Sequence, residues 1–333
     1  MTPADSRALM AREIAAQPSV LAGAVGPLVA AAAPLATASG ATLWICGCGD
    51  GLYAGETMTR IGRQAGLAVR PVSAAAMLWD AAPQPGDVCA AVSISGGTAR
   101  TVEAAARARA AGARVVAVTA NAEGALARVA DGTLKLPYEP ISRKTPHSLD
   151  HTIALLALAA LFGLGTGTLH AAVEALAAAD EPMRVEAERV VAGLSRDARF
   201  FCLGSGSALG AAGYAAAKLH EAGGLPAFAL EGENVAHGAN FMMRPGDHAT
   251  LCGDGGPGDR RTAALSDGLR RLGLSVATAG LDRPLLAAAM ETALWAQRLT
   301  LAVAEAFDLD VTRPGGDGLA AAVQSEWFAW RSG

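Results

Sequence analysis

Apolar residues in this chain cluster in short runs, and glycine-rich turns and longer Ala/Arg-rich stretches separate them. The runs Trp44–Cys46, Val69–Val72, Val88–Val92 and Val115–Val118 read as strands, as do Phe201–Leu203 and the stretch around Val276. Each is too short for a helix and is bounded by Gly or Pro, as buried strands are. The stretches between them have helical spacing. The pattern is helix, strand, Gly-rich turn, helix, strand, strand, Gly-rich turn, helix, strand, and it occurs twice. Short apolar strands alternating with helices predict α/β architecture: two duplicated lobes, each a parallel sheet flanked by helices in three layers.

The duplication is visible residue by residue. Trp44-Ile45-Cys46-Gly47-Cys48-Gly49-Asp50 resembles Phe201-Cys202-Leu203-Gly204-Ser205-Gly206-Ser207, an offset of 206 − 49 = 157 that also carries Ala65-Gly66 onto Ala222-Gly223. Pro85-Gly86-Asp87 recurs as Pro245-Gly246-Asp247, an offset of 245 − 85 = 160. The reading divides the chain into a helical lead-in (1–40), a first lobe (41–175), a second lobe (176–310) and a C-terminal tail (311–333). Residues 151–195 read as linker helices, with Pro182 marking a boundary. Ligands of such sheets sit beyond the carboxyl ends of the strands, where the Gly-rich turns lie.

The copies diverge at these turns. Copy one has Ser93-Ile94-Ser95-Gly96-Gly97-Thr98 after its strand; copy two, 160 residues on, has Gly253-Asp254-Gly255-Gly256-Pro257-Gly258. Three hydroxyls around two glycines at a helix start suit a phosphate, whereas Asp254 would repel one. A simple turn with an N-cap needs only one of those hydroxyls. Copy two instead has Lys218, Glu221 and His237 where copy one has Ile61, Gln64 and Asp80 (Met77 for His237 on the longer offset). Lys218 and Glu221 share a helix face at i, i+3; a surface ion pair is the plain alternative. Glu231, Glu233 and Asn234 precede His237-Gly238. Anion-binding groups in one copy and acid/base groups in the other predict one composite site for one phosphorylated sugar.

Composition narrows the field. Of 333 residues, 52% are hydrophobic and 17% charged, so a large core is expected and disorder is not. Net charge is −4 with no Lys/Arg-rich run, which argues against nucleic acid as the main partner. Cys46, Cys48, Cys89, Cys202 and Cys252 are scattered and odd in number, as reduced, buried thiols of a cytoplasmic protein would be. The apolar stretch Val20–Ala38 follows Asp5 and Glu13 and is interrupted by Pro27 and Pro34. It predicts a packed helical hairpin, not a signal peptide or a membrane span. Gly47-Cys48-Gly49-Asp50-Gly51 could be a dinucleotide turn, but Leu52 stands where a glycine is needed and no acid ends the next strand, so no cofactor is expected. His147, Asp150 and His151 lack a further ligand; Pro146 at the first helical position is the better reading, and no metal is expected.

Taken together these residues resemble the sugar isomerase (SIS) domain family in its tandem form, over about residues 10–310. Met10-x-x-Glu13-Ile14-x-x-Gln17-Pro18 resembles the family's lead-in helix, and Cys46-Gly47-Cys48-Gly49 and Ser93-x-Ser95-Gly96-x-Thr98 its two loops. Lys218-Leu219-x-Glu221 followed by His237-Gly238 is similar to the catalytic pattern of the isomerase domain of glucosamine-6-phosphate synthase. The resemblance implies that Ser93, Ser95, Gly97 and Thr98 hold the sugar phosphate and that Gly49, Asp50 and Gly51 line the site beside it. It implies that Glu221 shuttles a proton between C1 and C2, with Lys218 stabilising charge, that His237 assists ring opening, and that Glu139 lines the sugar pocket. A homodimer with sites near the subunit interface follows, since in relatives the histidine can come from the neighbour. There are departures: no glutaminase domain, Asp50-Gly51 where a Thr/Ser pair is usual, and no lysine in Asp310–Ala320. The implied activity is that of a sugar-phosphate isomerase, deaminase or fructosamine-6-phosphate deglycase; the alternative is a non-catalytic phosphosugar sensor, in which Glu221 and His237 would have no task.

Overall fold

The computed structural model describes residues 1–38, 40–313 and 318–331. Of the tail motif Arg313-Pro314-Gly315-Gly316, all but the arginine lies outside the described residues. The chain opens with α1 (Pro3–Ala32), continued by a 3-10 turn at Ala33–Leu35. This is one helix where a hairpin was expected. Pro18 and Pro27 each remove a backbone donor, but their Ala-rich flanks favour helix. Met10, Ile14, Leu21, Val25, Leu28 and Ala32 form a single buried stripe along it. Helix and extension are long and apolar enough to cross a membrane, at 33 residues and mean hydropathy 1.6.

Two compact units follow. The first comprises Ser19–Glu139, Asp150–Ala171 and Ala321–Gly333. It holds β1 (Thr42–Gly47), α2 (Asp50–Gln64), β2 (Ala68–Ser73), α3 (Ala74–Trp79), β3 (Val88–Val92), α4 (Ala99–Ala110), β4 (Arg114–Thr119), α5 (Ala125–Val129), β5 (Gly132–Lys135) and α6 (Leu149–Leu161). The second comprises Met1–Pro18, Pro140–Leu149 and Ala172–Ala320. Most of α7 (Thr166–Val191) belongs to it, with β6 (Phe200–Gly204), α8 (Ala208–Gly223), β7 (Ala227–Glu231), α9 (Gly232–Ala236), β8 (His248–Cys252), α10 (Asp259–Arg271), β9 (Ser275–Ala279) and α11 (Leu285–Ala306). A last helix, α12 (Leu319–Ala329), lies near the C-terminus.

Both sheets are parallel throughout, in the orders β2-β1-β3-β4-β5 and β7-β6-β8-β9. In each the chain runs outward to the second strand and returns across the first to the third. The crevice at this reversal lies at the carboxyl ends of β1 and β3, and of β6 and β8. Central strands β3 and β8 are buried along their whole length, which in β3 gives a continuous apolar run. On one face of the first sheet Trp44, Cys46, Cys89, Ala91, Val115 and Ala117 pack against Ala104, Ala105 and Ala108 of α4, whose small side chains let helix and sheet approach closely.

The duplicated backbone extends to strained positions. Gly49 and Gly206 have φ of 50° and 62°, and Gly96 and Gly255 have 64° and 73°. Several details differ from expectation. The second and third strands of each lobe are joined through a short helix, α3 or α9, because the strand-ending residue supplies an N-cap: Ser73 Oγ accepts from Ala76 N at 3.0 Å, and Glu231 from Glu233 N at 2.7 Å. Only the first sheet has a fifth strand among the described residues. Pro182 lies inside α7, not at a boundary. α6 begins at Leu149, so Pro146 precedes the helix. Cys48 is exposed on its loop, whereas the other four cysteines are buried.

His248 at the start of β8 is buried, its Nε2 3.0 Å from Thr250 Oγ1, and burial pushes the imidazole down to about 4. The unfolded chain takes up this proton near the ordinary histidine value while the folded chain does not. Stability should therefore be level above about pH 6.5 and fall by about 3 kcal/mol as pH drops from there to 4. Urea unfolding of the wild type and His248→Asn at about pH 7 and pH 4.5 checks this: the variant should lose much less stability between the two.

Candidate active site

At the crevice of the first lobe, the β3 loop is fastened from below. Ser93 N donates to Val118 O (3.1 Å), Thr119 Oγ1 to Ile94 O (3.1 Å) and Leu126 N to Gly96 O (2.9 Å). Above these ties the hydroxyls turn on each other. Ser93 Oγ and Thr98 Oγ1 are 3.0 Å apart, and Ser95 Oγ accepts from Gly97 N at 3.2 Å. Ser93 is buried, while Ser95 and Gly97 are exposed. Thr98 is the N-cap residue of α4, yet its side chain makes no cap bond. The β1 loop lies against this one: a Cβ on Gly51 would stand 2.8 Å from Val92 O, and Thr101 Oγ1 is 3.6 Å from Cys48 Sγ. Asp50 opens α2 beside it, partly buried. Serine hydroxyls, glycine amides and a helix start without a side-chain cap together form a cradle of donors, the chemistry that anion binding calls for.

The equivalent loop of the second lobe is already filled. Asp259, at the start of α10, is buried and accepts from Asp254 N (3.0 Å), Gly255 N (3.1 Å) and Asp282 N (3.2 Å). Ser207 donates to Asp254 and Ser205 to Glu231 (2.7 Å), so hydroxyls and amides alike are engaged by carboxylates of the chain.

About three turns along α8, Lys218 is fully buried, with its Nζ 2.6 Å from Glu221 Oε2 and 5.0 Å from the centre of the Tyr214 ring. Glu221 retains 42% of its side-chain exposure. Tyr214 donates to His147 O (2.8 Å) and accepts from Gln297 Nε2 (3.0 Å), and Gln17 Nε2 reaches Gln297 Oε1 at 2.5 Å. A carboxylate base and an ammonium are thus held together, with the carboxylate reaching solvent: the set needed to take a proton from carbon and steady the resulting oxyanion.

Residues 38–164 match the SIS domain family. This segment is a SIS domain. A search of curated protein sequences finds no match. Among solved structures, the chain is similar to the C-terminal domain of glucosamine-fructose-6-phosphate aminotransferase from Francisella tularensis, with a TM-score of 0.78 and 18% identity over 92% of this chain and 98% of that one. It is similar to tagatose-6-phosphate ketose/aldose isomerase from Escherichia coli (TM-score 0.77, 19% identity, 92% and 95% covered) and to glucosamine-6-phosphate deaminase from Thermotoga maritima (0.76, 17%, 92% and 98%). At these identities the likeness is one of fold.

The SIS fold brings Ser93, Ser95, Gly97 and Thr98 into one loop beside Gly49, Asp50 and Gly51, and it brings Lys218 and Glu221 into contact. His237 stands apart from that contact, at the end of α9, with 73% of its side chain exposed and Glu233 at 3.9 Å. Glu139 is exposed on the segment after β5. Sequence reasoning missed Tyr214 and Asp259. Tyr214 lies four residues before Lys218 on the same helix, a spacing that signals contact; Asp259 is an acid in the first turn of a helix after a Gly-rich turn, where N–H groups need an acceptor.

Closeness of the two SIS loops depends on Gly51. Gly51→Ala should destabilise the protein by about 1–3 kcal/mol, because backbone cannot yield to the new methyl. Gly268→Ala, in α10 with nothing within 4 Å of its would-be Cβ, should stabilise it by about 0.5–1 kcal/mol. Chemical denaturation of both variants reads the opposite signs.

Proposed function

We propose that this protein is a phosphosugar-processing enzyme acting on a ketose or amino-sugar 6-phosphate by carboxylate-mediated proton transfer. The observation that carries the enzymatic reading is the Lys218–Glu221 contact at 2.6 Å, a base and a cation held together on one helix. The serine loop holds the phosphate. Glu221 removes the proton from C1 or C2, the electrons move onto the neighbouring carbon and oxygen or nitrogen, and the proton returns to the adjacent carbon through an enediol or enolamine. Lys218 balances the charge on the intermediate. His237 serves ring opening and Glu139 the sugar hydroxyls. The working form is a cytoplasmic homodimer, in which the exposed imidazole of His237 is available to a neighbouring subunit. Within this class the reading favours deglycation or deamination, since a substrate that already carries an amine needs none from the enzyme.

Ser95→Ala should weaken binding of fructose 6-phosphate or the true substrate by about 1–3 kcal/mol in calorimetry, the cost of an unpaired charged acceptor. Glu221→Gln should lower turnover by about 100-fold or more while binding persists. Binding without turnover in a panel of sugar and fructosamine phosphates would favour a sensor instead.

No lysine Schiff base is expected to form. The chain has three lysines, Lys135, Lys144 and Lys218, and none beyond residue 218. Lys218 is buried against Glu221, and Arg313 near the tail cannot condense with a ketone. Borohydride trapping with substrate, followed by peptide mass mapping, should find no sugar adduct; an adduct whose lysine abolishes activity when replaced would overturn this.

A further inference from the structure

The first turn of α4 carries a cation that the reading above leaves without a task. Arg100 follows Thr98 by two residues, and its side chain is only 14% exposed. Its guanidinium pairs with Glu103, donates to the carbonyl of Trp330, and lies over the Trp330 indole at 4.4 Å from the ring centre. Trp330 also meets Trp79 of α3 at 6.2 Å between centroids, and Arg331 Nε lies 4.0 Å from Glu103. The C-terminal segment is therefore fastened to α4 at Arg100.

Charge and place in the helix connect Arg100 with the cradle. The serine loop has hydroxyls and amides but no charged residue from 93 to 98, whereas a phosphate ester carries roughly −1.5 to −2 charges near neutral pH. Side chains in a helix's first turn lean toward its N-terminus, which here is the loop itself. The field of Arg100 already reaches the facing loop: burial pushes the Cys48 thiol up, and the Arg100 charge is among the groups that oppose this.

We propose that Arg100 is the cationic ligand of the phosphate on the serine loop, and that Trp330 of the C-terminal segment holds this guanidinium until the phosphate takes it. The proposal rests on the serine-loop reading. A guanidinium gains more from two charge-assisted bonds to phosphate oxygens than from one backbone carbonyl and an indole face. Phosphate and Trp330 thus compete for one group, and occupancy of the cradle is linked to release of the C-terminal segment.

The test titrates the full-length protein with inorganic phosphate and with fructose 6-phosphate, by calorimetry and tryptophan fluorescence. Arg100→Gln should weaken binding by about tenfold or more and flatten its salt dependence, and Arg100→Lys should restore part of the affinity. Trp330→Ala should tighten binding by about two- to fivefold, because the competitor is gone, and should abolish the fluorescence change that ligand causes in the wild type. Circular dichroism confirms the fold of each variant. If Ser95→Ala weakens binding but Arg100→Gln binds as the wild type does, the proposal is wrong and the serine-loop reading stands. If neither variant changes affinity, or the wild type binds neither probe, the serine-loop reading falls and this proposal with it. Unchanged affinity in Trp330→Ala would overturn the competition.

Discussion

Backbone amides at the carboxyl end of a parallel sheet, where a loop turns into a helix, need a negative partner, and the two lobes of this protein meet that need differently. In the second lobe the partner is built in: Asp259 accepts from the amides of Asp254, Gly255 and Asp282. In the first lobe the residue at that place, one past the N-cap, is Ala99, not an acid, and the loop contains only hydroxyls and amides. Two copies of one backbone, matched down to positive-φ glycines, therefore end in opposite electrostatics. One crevice is closed by its own carboxylate, whereas the loop at the other holds no carboxylate from 93 to 98.

A fully buried ammonium is the second demand on the structure, since its desolvation must be offset by close partners. Lys218 has the Glu221 carboxylate at 2.6 Å and the Tyr214 ring at 5.0 Å. Tyr214 is fixed in turn by Gln297, which also donates to Ser148 O (3.1 Å), and Ser148 donates to Glu13 (2.9 Å). Glu13 and Gln17 thus reach from α1 to the surroundings of Lys218. The lead-in helix adds nothing to either sheet, yet it holds in place the tyrosine on which the ammonium rests.

Local signals gave much of this fold. Strands covered on both faces are written as short apolar runs, and the turns that need positive φ are written as glycines, so β3 and the repeat were legible. Where packing decides, the sequence was silent or misleading. Pro182 reads as a break, but α7 continues through it, flanked by the exposed Arg184 pairs to Glu181 and Glu188. Pro27 reads as an interruption, but a buried stripe keeps α1 continuous through it. Within the candidate site, Ser93, Ser95, Thr98, Lys218 and Glu221 could be named because each sits in a local motif. Gln297 could not: it meets Tyr214 across 83 positions of sequence, and no period announces such a contact.

The direction of hydroxyl protons explains why the difference between the loops is chemical as well as electrostatic. A serine bonded to a carboxylate must donate its only proton to it, as Ser207 does to Asp254 and Ser205 to Glu231. Neither proton is then left for a phosphate oxygen. Ser93 and Thr98 bond to each other, so one of the two protons is used between them and the other remains. Ser95 accepts from Gly97 N, a bond that leaves its proton to be donated. The first-lobe loop therefore retains donors at its surface while its own backbone is tied down beneath, the preorganised state that an anion site requires.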